Sequence, residues 1–232
     1  MSLVFDGGSG MRELGLARRT QVPHADEHVF FSHFHWDHIQ GVPFFAPLLH
    51  ADKKVSFYSP WPAESMRAAL EGQMAEPYFP VPFESLAAGI SFHQVRELAL
   101  GGARVHAFEL HHPGRAFGYA VEADGAKIVY ATDHEHGDPA ADARLFAATG
   151  GADVLLYDAH YTPEEYPRHT GWGHSTWREG VRLAQATGVK QLVLFHHHPA
   201  HTDEQMERIL RAAQAEFPHT SLAAEGVVFT TG

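Results

Sequence analysis

The sequence predicts an α+β chain, two sheets packed together with helices on the outside. Three observations predict it. Short apolar runs alternate with helical segments along all 232 residues. No linker-like stretch or short-period repeat interrupts them. Polar and ionisable residues recur just after the apolar runs, at strand ends where α/β folds collect their sites. Length and a 44% apolar content suit one domain spanning 1–232, not a disordered or fibrous chain.

Leu3-Val4-Phe5 reads as a strand stopping at Asp6, followed by the tight turn Gly7-Gly8-Ser9-Gly10 and a short helix from Met11 to Leu16. His28 to Ser32 is a buried strand, and a helix is expected over Ile39 to Leu48. Lys54 to Tyr58 is a strand, and Ala63 to Met74 a helix that begins after Pro62. Residues 76–83 hold three prolines and three aromatics. Proline excludes a central strand or a helix interior there, so this is an ordered loop, either a pocket wall or a cover on the core. Ile90 to Val95, Arg104 to Leu110, Phe117 to Val121 and Lys127 to Ala131 are strands, the last two joined by an Asp124-Gly125 hairpin turn. Pro139 to Thr149 is a helix with proline near its start, Val154 to Tyr157 a strand, and Ser175 to Thr187 a helix ended by Gly188. Gln191 to Phe195 is a strand, Thr202 to Phe217 a helix capped by Thr202, and Val227 to Phe229 a last strand.

Composition narrows the chemistry. There is no cysteine, so disulfides and thiolate metal sites are excluded and any metal must be held by His, Asp or Glu. A cytoplasmic location is compatible with this and is expected. The formal net charge of −11 argues against a broad nucleic-acid surface. It leaves open a phosphate ester held by metal ions, because bound cations dominate their local field. No apolar run approaches the roughly 18 residues of a membrane span, and no secretory signal is visible.

Residues 33–38 read His33-Phe34-His35-Trp36-Asp37-His38, directly after the strand that ends at Ser32. Neutral imidazole and ionised carboxylate are ligands for Zn²⁺ and similar divalent ions. His33 and His35 share a face at period two, and Asp37 and His38, one turn on, reach a second ion. The chain has 20 histidines, so chance clusters are more frequent than usual, but this order at the end of an apolar strand is hard to explain as packing. His111-His112-Pro113 follows one strand, Asp133 another and His196 a third, as Asp6 follows the first.

Together these residues resemble the metallo-β-lactamase superfamily, whose H-x-H-x-D-H motif residues 33–38 match. The likeness runs from Asp6 to about Asp203. It is strongest to the phosphodiesterase branch, near ribonuclease Z and the phosphonate-pathway cyclic phosphodiesterases. The Asp6-Gly7-Gly8-Ser9-Gly10 turn, His112-Pro113-Gly114 with Gly118-Tyr119, Gly173-His174-Ser175-Thr176, and the strand Leu192 to Phe195 before His196 carry it.

The resemblance implies a four-layer αβ/βα sandwich with two metals at one edge. His33, His35 and His112 would hold one ion and Asp37, His38 and His196 the other, with Asp133 bridging. Asp6 would fix the tautomer of a ligand histidine, and His174 would act on the leaving group. The implied activity is a dinuclear metal-dependent phosphodiesterase for small esters, cyclic nucleotides or other cyclic phosphates. Its hydroxide would be shared by ions about 3.5–4 Å apart. The alternative is a lactone, thioester or β-lactam hydrolase on the same site. Zn²⁺ is the expected metal, with Mn²⁺ or Fe²⁺ acceptable to the same donors.

Several positions stay open. His111 or His112 can be the ligand, and His112 is preferred because it precedes Pro113. His197, His198 and His201 stand between a pocket role and solvent, as do His134, Glu135 and His136. Arg115 and Trp172 are candidates for substrate contact, Arg115 against phosphate and Trp172 by stacking on a base or aryl group. Two departures from the branch bear on partners. Only five residues precede Asp6, where relatives carry further strands; an exposed edge would then invite pairing into a homodimer. Residues 113–132, between His112 and Asp133, leave room for one hairpin and none for the long arm with which ribonuclease Z grips tRNA. Flavin-linked diiron relatives carry an acidic residue where His35 stands, which disfavours a redox role.

Overall fold

The computed structural model describes residues 2–18 and 26–231. These form two compact units, Met1–Arg96 and Glu97–Gly232, each with its own sheet and core.

The first unit runs β1 (Leu3–Phe5), α1 (Met11–Arg18), β2 (Glu27–Phe30), α2 (Trp36–Ile39), β3 (Lys54–Ser59), α3 (Ala63–Gln73) and β4 (Gly89–Gln94). Its four strands are parallel in the order β1-β2-β3-β4. Val29, Phe31, Val55 and Phe57 point to one face and meet Met11, Ile39, Val42, Leu48 and Leu70 in a buried cluster. The opposite face carries Phe5, Phe30 and Tyr58, whose rings stack at 5.3 and 4.7 Å between centroids. Each fully buried Phe or Leu side chain contributes about 1.5–3 kcal/mol by leaving water.

The helix expected over Ile39 to Leu48 is a correction. The structure has the four-residue α2, then two 3₁₀ turns, Val42–Phe44 and Ala46–Leu49, each with a proline in its first turn. Pro43 and Pro47 lack the N–H an α-helix needs, and each ring clashes with the preceding turn. The apolar pattern was real, and Val42, Phe45 and Leu48 are buried, but 3₁₀ turns bury it. The loop over residues 76–83 contains a cis Glu76–Pro77 bond and ends in the buried Phe83.

The second unit begins with β5 (Glu97–Leu100), β6 (Ala103–Leu110), β7 (Ala116–Ala123) and β8 (Ala126–Ala131), all antiparallel neighbours. Then α4 (Pro139–Thr149), β9 (Val154–Asp158), α5 (Trp177–Thr187), β10 (Gln191–Phe195), α6 (Asp203–Glu216) and β11 (Thr220–Leu222) continue the sheet with parallel pairs. The order is β11-β10-β9-β8-β7-β6-β5. Residues 113–132 make the single β7–β8 hairpin, with Asp124 and Gly125 both at positive φ as a two-residue turn requires. β5 was not foreseen; Gly101-Gly102, both at positive φ, turn it into β6.

Helix ends follow local chemistry. Asp138 caps α4 through Ala141 N, and Thr202 with Gln205 forms a capping box on α6. Gly188 ends α5 in the left-handed region at φ 71. On α5, Trp177, Gly180, Val181 and Ala184 make one buried face, packed with Leu155, Leu192 and Leu194. The strand expected at Val227–Phe229 is a second correction. Those residues are not in a strand and Val228 is 82% exposed; the last strand is Thr220–Leu222, paired with β10 through Leu192↔Thr220. Among the described residues, no helix is long and apolar enough to cross a membrane.

Candidate metal centre

In the first unit the site residues gather at the ends of β1 and β2. β1 stops at Asp6, whose φ of 58 turns the chain sharply into Gly7. The turn then lies against α2: Gly7 N donates to His38 O at 2.7 Å, and a Cβ on Gly8 would stand 2.5 Å from Asp37 O. Only glycine allows this approach, which brings Asp6 under the histidine motif. Asp6 Oδ1 accepts from Ser32 N at 2.7 Å; Oδ2 accepts from Ser32 Oγ at 2.8 Å and from His38 Nδ1 at 2.9 Å.

These bonds determine tautomers. A carboxylate only accepts, so His38 carries its proton on Nδ1 and keeps the lone pair on Nε2. Ser32 has one hydroxyl hydrogen, already given to Asp6, so it accepts from His33 Nδ1 at 3.0 Å. His33 therefore also presents a lone pair on Nε2. The rings converge, His33 at 4.4 Å from His35 and 4.3 Å from His38 between centroids. His38 Nε2 lies 3.2 Å from Asp37 Oδ2. His33 and His38 are buried, while His35 and Asp37 are exposed.

The second unit assembles its own set around Asp133, a 1% exposed residue at the end of β8 with φ 53. Asp133 Oδ1 lies 3.8 Å from both His112 Nε2 and His174 Nδ1, and Oδ2 lies 3.5 Å from His196 Nε2. His112 gives its Nδ1 proton to Gly173 O at 2.8 Å, leaving Nε2 as the lone pair facing Asp133. Its neighbour His111 instead bonds the Glu135 carbonyl through Nδ1 at 3.0 Å. His196 follows β10 at φ 57. Asp133, Asp158, His174 and His196 bring one donor atom each within 4.8 Å of one another. Nitrogen and oxygen atoms facing one another at 3.5–3.8 Å suit ligands of a shared divalent ion.

His174 is oriented by a carboxylate the sequence had not singled out. Its Nδ1 donates to Asp158 Oδ2 at 2.9 Å, and Asp158 is fully buried at the end of β9, its Oδ1 accepting from Ser175 N and His160 N. The His160 ring stacks on His174 at 4.3 Å and bonds His196 O through Nδ1 at 2.9 Å. Burial, then the neighbouring His174, push the His160 imidazole down to about 4, so it packs as a neutral spacer.

Several open positions have other partners. His134 bonds Asp142, His136 bonds Ser175 Oγ, His197 bonds Ala223 O, and His201 bonds the Glu165 carboxylate. Arg115 makes a two-pronged pair with Glu109 at 3.1 and 3.2 Å. Glu135 is buried, which alone would raise its pKa. Hydrogen bonds from Gly171 N, Gly173 N and Tyr166 Oη outweigh burial and hold it below the ordinary carboxylate range.

The family model described as the Beta-lactamase superfamily domain matches residues 2–197. The chain belongs to this superfamily. It is similar over 98% of its length to the metallo-β-lactamase-fold protein YhfI from Bacillus subtilis, with TM-score 0.70, 19% identity and 86% of that chain covered. It is similar to a diphosphatase from the PhnP family, with TM-score 0.68, 21% identity, and 99% and 80% of the two chains covered. It is 22% identical to ribonuclease BN of Erwinia tasmaniensis in a 278-residue alignment covering 97% of this chain and 88% of that one. The expected metallo-β-lactamase fold, two sheets with flanking helices, is thereby shown, and the chain is a metal-dependent hydrolase of this superfamily.

For this metallo-β-lactamase-fold hydrolase, the residues missed from sequence were Ser32, Asp158 and His160. Asp158 ends an apolar strand just as Asp133 does, and that position was the one available signal. Ser32 had none, since its role is to pass a proton contact between Asp6 and His33. Asp6→Asn removes acceptors from His38 and Ser32 while keeping a residue that tolerates positive φ. It is expected to weaken metal binding by ~10–100-fold, the usual effect of losing an orienting partner. Competition against a chelator measures it; wild-type affinity would mean that packing alone aims the rings.

Proposed function

We propose that this hydrolase is a dimetal phosphodiesterase acting on small esters, including cyclic nucleotides and other cyclic phosphates. The supporting observation is His174, its Nδ1 tied to the buried Asp158 and its ring beside Asp133. In its doubly protonated form an imidazole so held keeps Nδ1–H on the carboxylate and carries on Nε2 the proton it can pass to a departing alkoxide. His33, His35 and His112 would hold one divalent ion and Asp37, His38 and His196 a second, with Asp133 shared between them. Zn²⁺ is the first choice and Mn²⁺ or Fe²⁺ the others. When bound, such ions supply an activated water at neutral pH and offset charge that builds on phosphoryl oxygens.

The donor set fits that role. The imidazoles add no charge and Asp37 and Asp133 add two negative ones, so a site with two divalent cations stays net positive and suits an anionic ester. The chain's own residues do the rest. Asp6 and Ser32 set tautomers in the first unit, Gly173 O sets that of His112, and Asp158 keeps His174 in one orientation. Ribonuclease BN and the PhnP-family diphosphatase are similar proteins whose names both point to reactions at phosphorus. The short β7–β8 hairpin and the acidic charge favour a small ester over tRNA.

Hydrolysis of bis(p-nitrophenyl) phosphate tests this with protein stripped of metal and reloaded with Zn²⁺ or Mn²⁺. Metal-dependent turnover is expected, lost in Asp37→Ala. Turnover of a lactone or thioester with none of the phosphodiester, metal being bound, would overturn the proposal in favour of carbonyl chemistry.

A further inference from the structure

We infer that Trp172 is a stacking platform for a planar base or aryl group of the substrate, presented by a backbone clamp that Glu135 closes. This rests on the phosphodiesterase proposal for the reacting bond and adds the group that the bond carries.

The tripeptide Gly171-Trp172-Gly173 precedes His174 directly. Both glycines are left-handed, at φ 87 and 86, so the backbone turns twice and throws the indole outward. Both glycine N–H groups donate to one carboxylate, Gly171 to Glu135 Oε1 at 2.6 Å and Gly173 to Oε2 at 2.8 Å. Glu135 is itself 3% exposed and is held by Tyr166 Oη at 2.9 Å. Trp172 N donates to His169 O at 3.1 Å, and Gly173 O takes the His112 proton. A Cβ on Gly173 would stand 2.2 Å from His112 Nδ1, so the strand of chain under the indole cannot shift without moving His112.

An exposed aromatic is ordinary on a protein surface when it is mobile and alone. Trp172 is 63% exposed, yet its backbone is pinned on both sides. The indole thus stands in water two residues from His174, on a stretch of backbone that is held in place. The indole and the His169 ring meet at right angles, 5.2 Å and 89°, and His169 stacks on Tyr161 at 4.4 Å and 11°. Tyr161 is buried and meets His174 at 6.2 Å. This row of rings gives a supported platform whose far end is the proposed proton donor.

A planar ring laid on such a platform gains contact area and face-to-face attraction without hydrogen-bond readout. The ligand class is thus a phosphodiester that carries a base or aryl group, with little discrimination among bases. Glu135 is a positioning residue in this scheme, because it touches the clamp and not the ligand.

The test compares two cyclic phosphodiesters on the metal-loaded protein, that of adenosine and that of glycerol, which has the same kind of reacting ring and no base. In Trp172→Ala, the kcat/KM ratio of adenosine ester over glycerol ester is expected to fall about tenfold or more, mainly through KM. Trp172→Phe is expected to restore most of it. Glu135→Gln can accept only one of the two glycine N–H groups and is expected to raise KM for the adenosine ester. A second readout needs no turnover: adenosine monophosphate is expected to quench tryptophan fluorescence in the wild type, with most of the quenching lost in Trp172→Phe. Turnover of both esters with an unchanged ratio in Trp172→Ala would overturn the platform. Quenching lost in Trp172→Phe, with neither ester hydrolysed by the metal-loaded wild type, would support the platform and overturn the phosphodiesterase proposal instead.

Discussion

Asp133→Asn is expected to lose bound metal and turnover together while the chain still folds. Asp133 faces His112, His174 and His196 at 3.5–3.8 Å and accepts from Thr132 Oγ1 at 2.5 Å. Asparagine keeps the shape and tolerates the φ of 53. It removes one negative charge and replaces an acceptor oxygen with a donor nitrogen, which repels a cation. Losing an orienting partner costs about 10–100-fold in such sites, so losing a shared ligand should exceed ~100-fold. Metal content after gel filtration, read beside kcat and the far-UV spectrum, measures the effect. Full metal content with a rate within about tenfold of wild type would remove Asp133 from the centre.

His174→Ala is expected to separate catalysis from metal content. A general acid contributes roughly 10²–10⁴-fold, so turnover should fall by that order while metal stays near wild type. The loss should be steeper for an alkoxide leaving group than for p-nitrophenolate, which departs with less need of a proton. His174 also lies among Asp133, Asp158 and His196 within ligand spacing. Equal loss of metal and rate would therefore mean that it is a ligand and that the Asp158 contact serves to aim a donor atom.

Much of the candidate site could be read from the sequence, because the signal was local. His33, His35, Asp37 and His38 lie on one strand-to-turn segment, and spacing alone puts two imidazoles on one face. Asp6, His112, Asp133 and His196 each follow an apolar strand, a position visible without coordinates. What could not be read was pairing in space. Asp158 is recognisable only once β9 lies beside the loop that carries His174, and Glu135 only once residues 161–175 fold back over it. The fold departs from the sequence reading where backbone chemistry overrides an apolar pattern. The spacing over residues 39–48 predicts one helix, which Pro43 and Pro47 replace with 3₁₀ turns. Val227–Phe229 was preferred as a strand for its apolar character, while the β10 edge pairs with the less apolar Thr220–Leu222. β5 spans only four residues, Glu97–Leu100, too few for its alternation to stand out in the sequence.

The left-handed backbone at Asp6, Asp133 and His196 bears on how this protein can be altered. Glycine would occupy all three positions with less conformational conflict than any L side chain. Backbone conformation alone therefore does not call for a carboxylate or an imidazole there. Those side chains are local frustration that the surrounding sheet tolerates, kept at the rim where chemistry is proposed. Random substitution screened for thermal resistance alone would drift toward an inert version of the same architecture, since folding ease and reactivity pull these three residues in opposite directions.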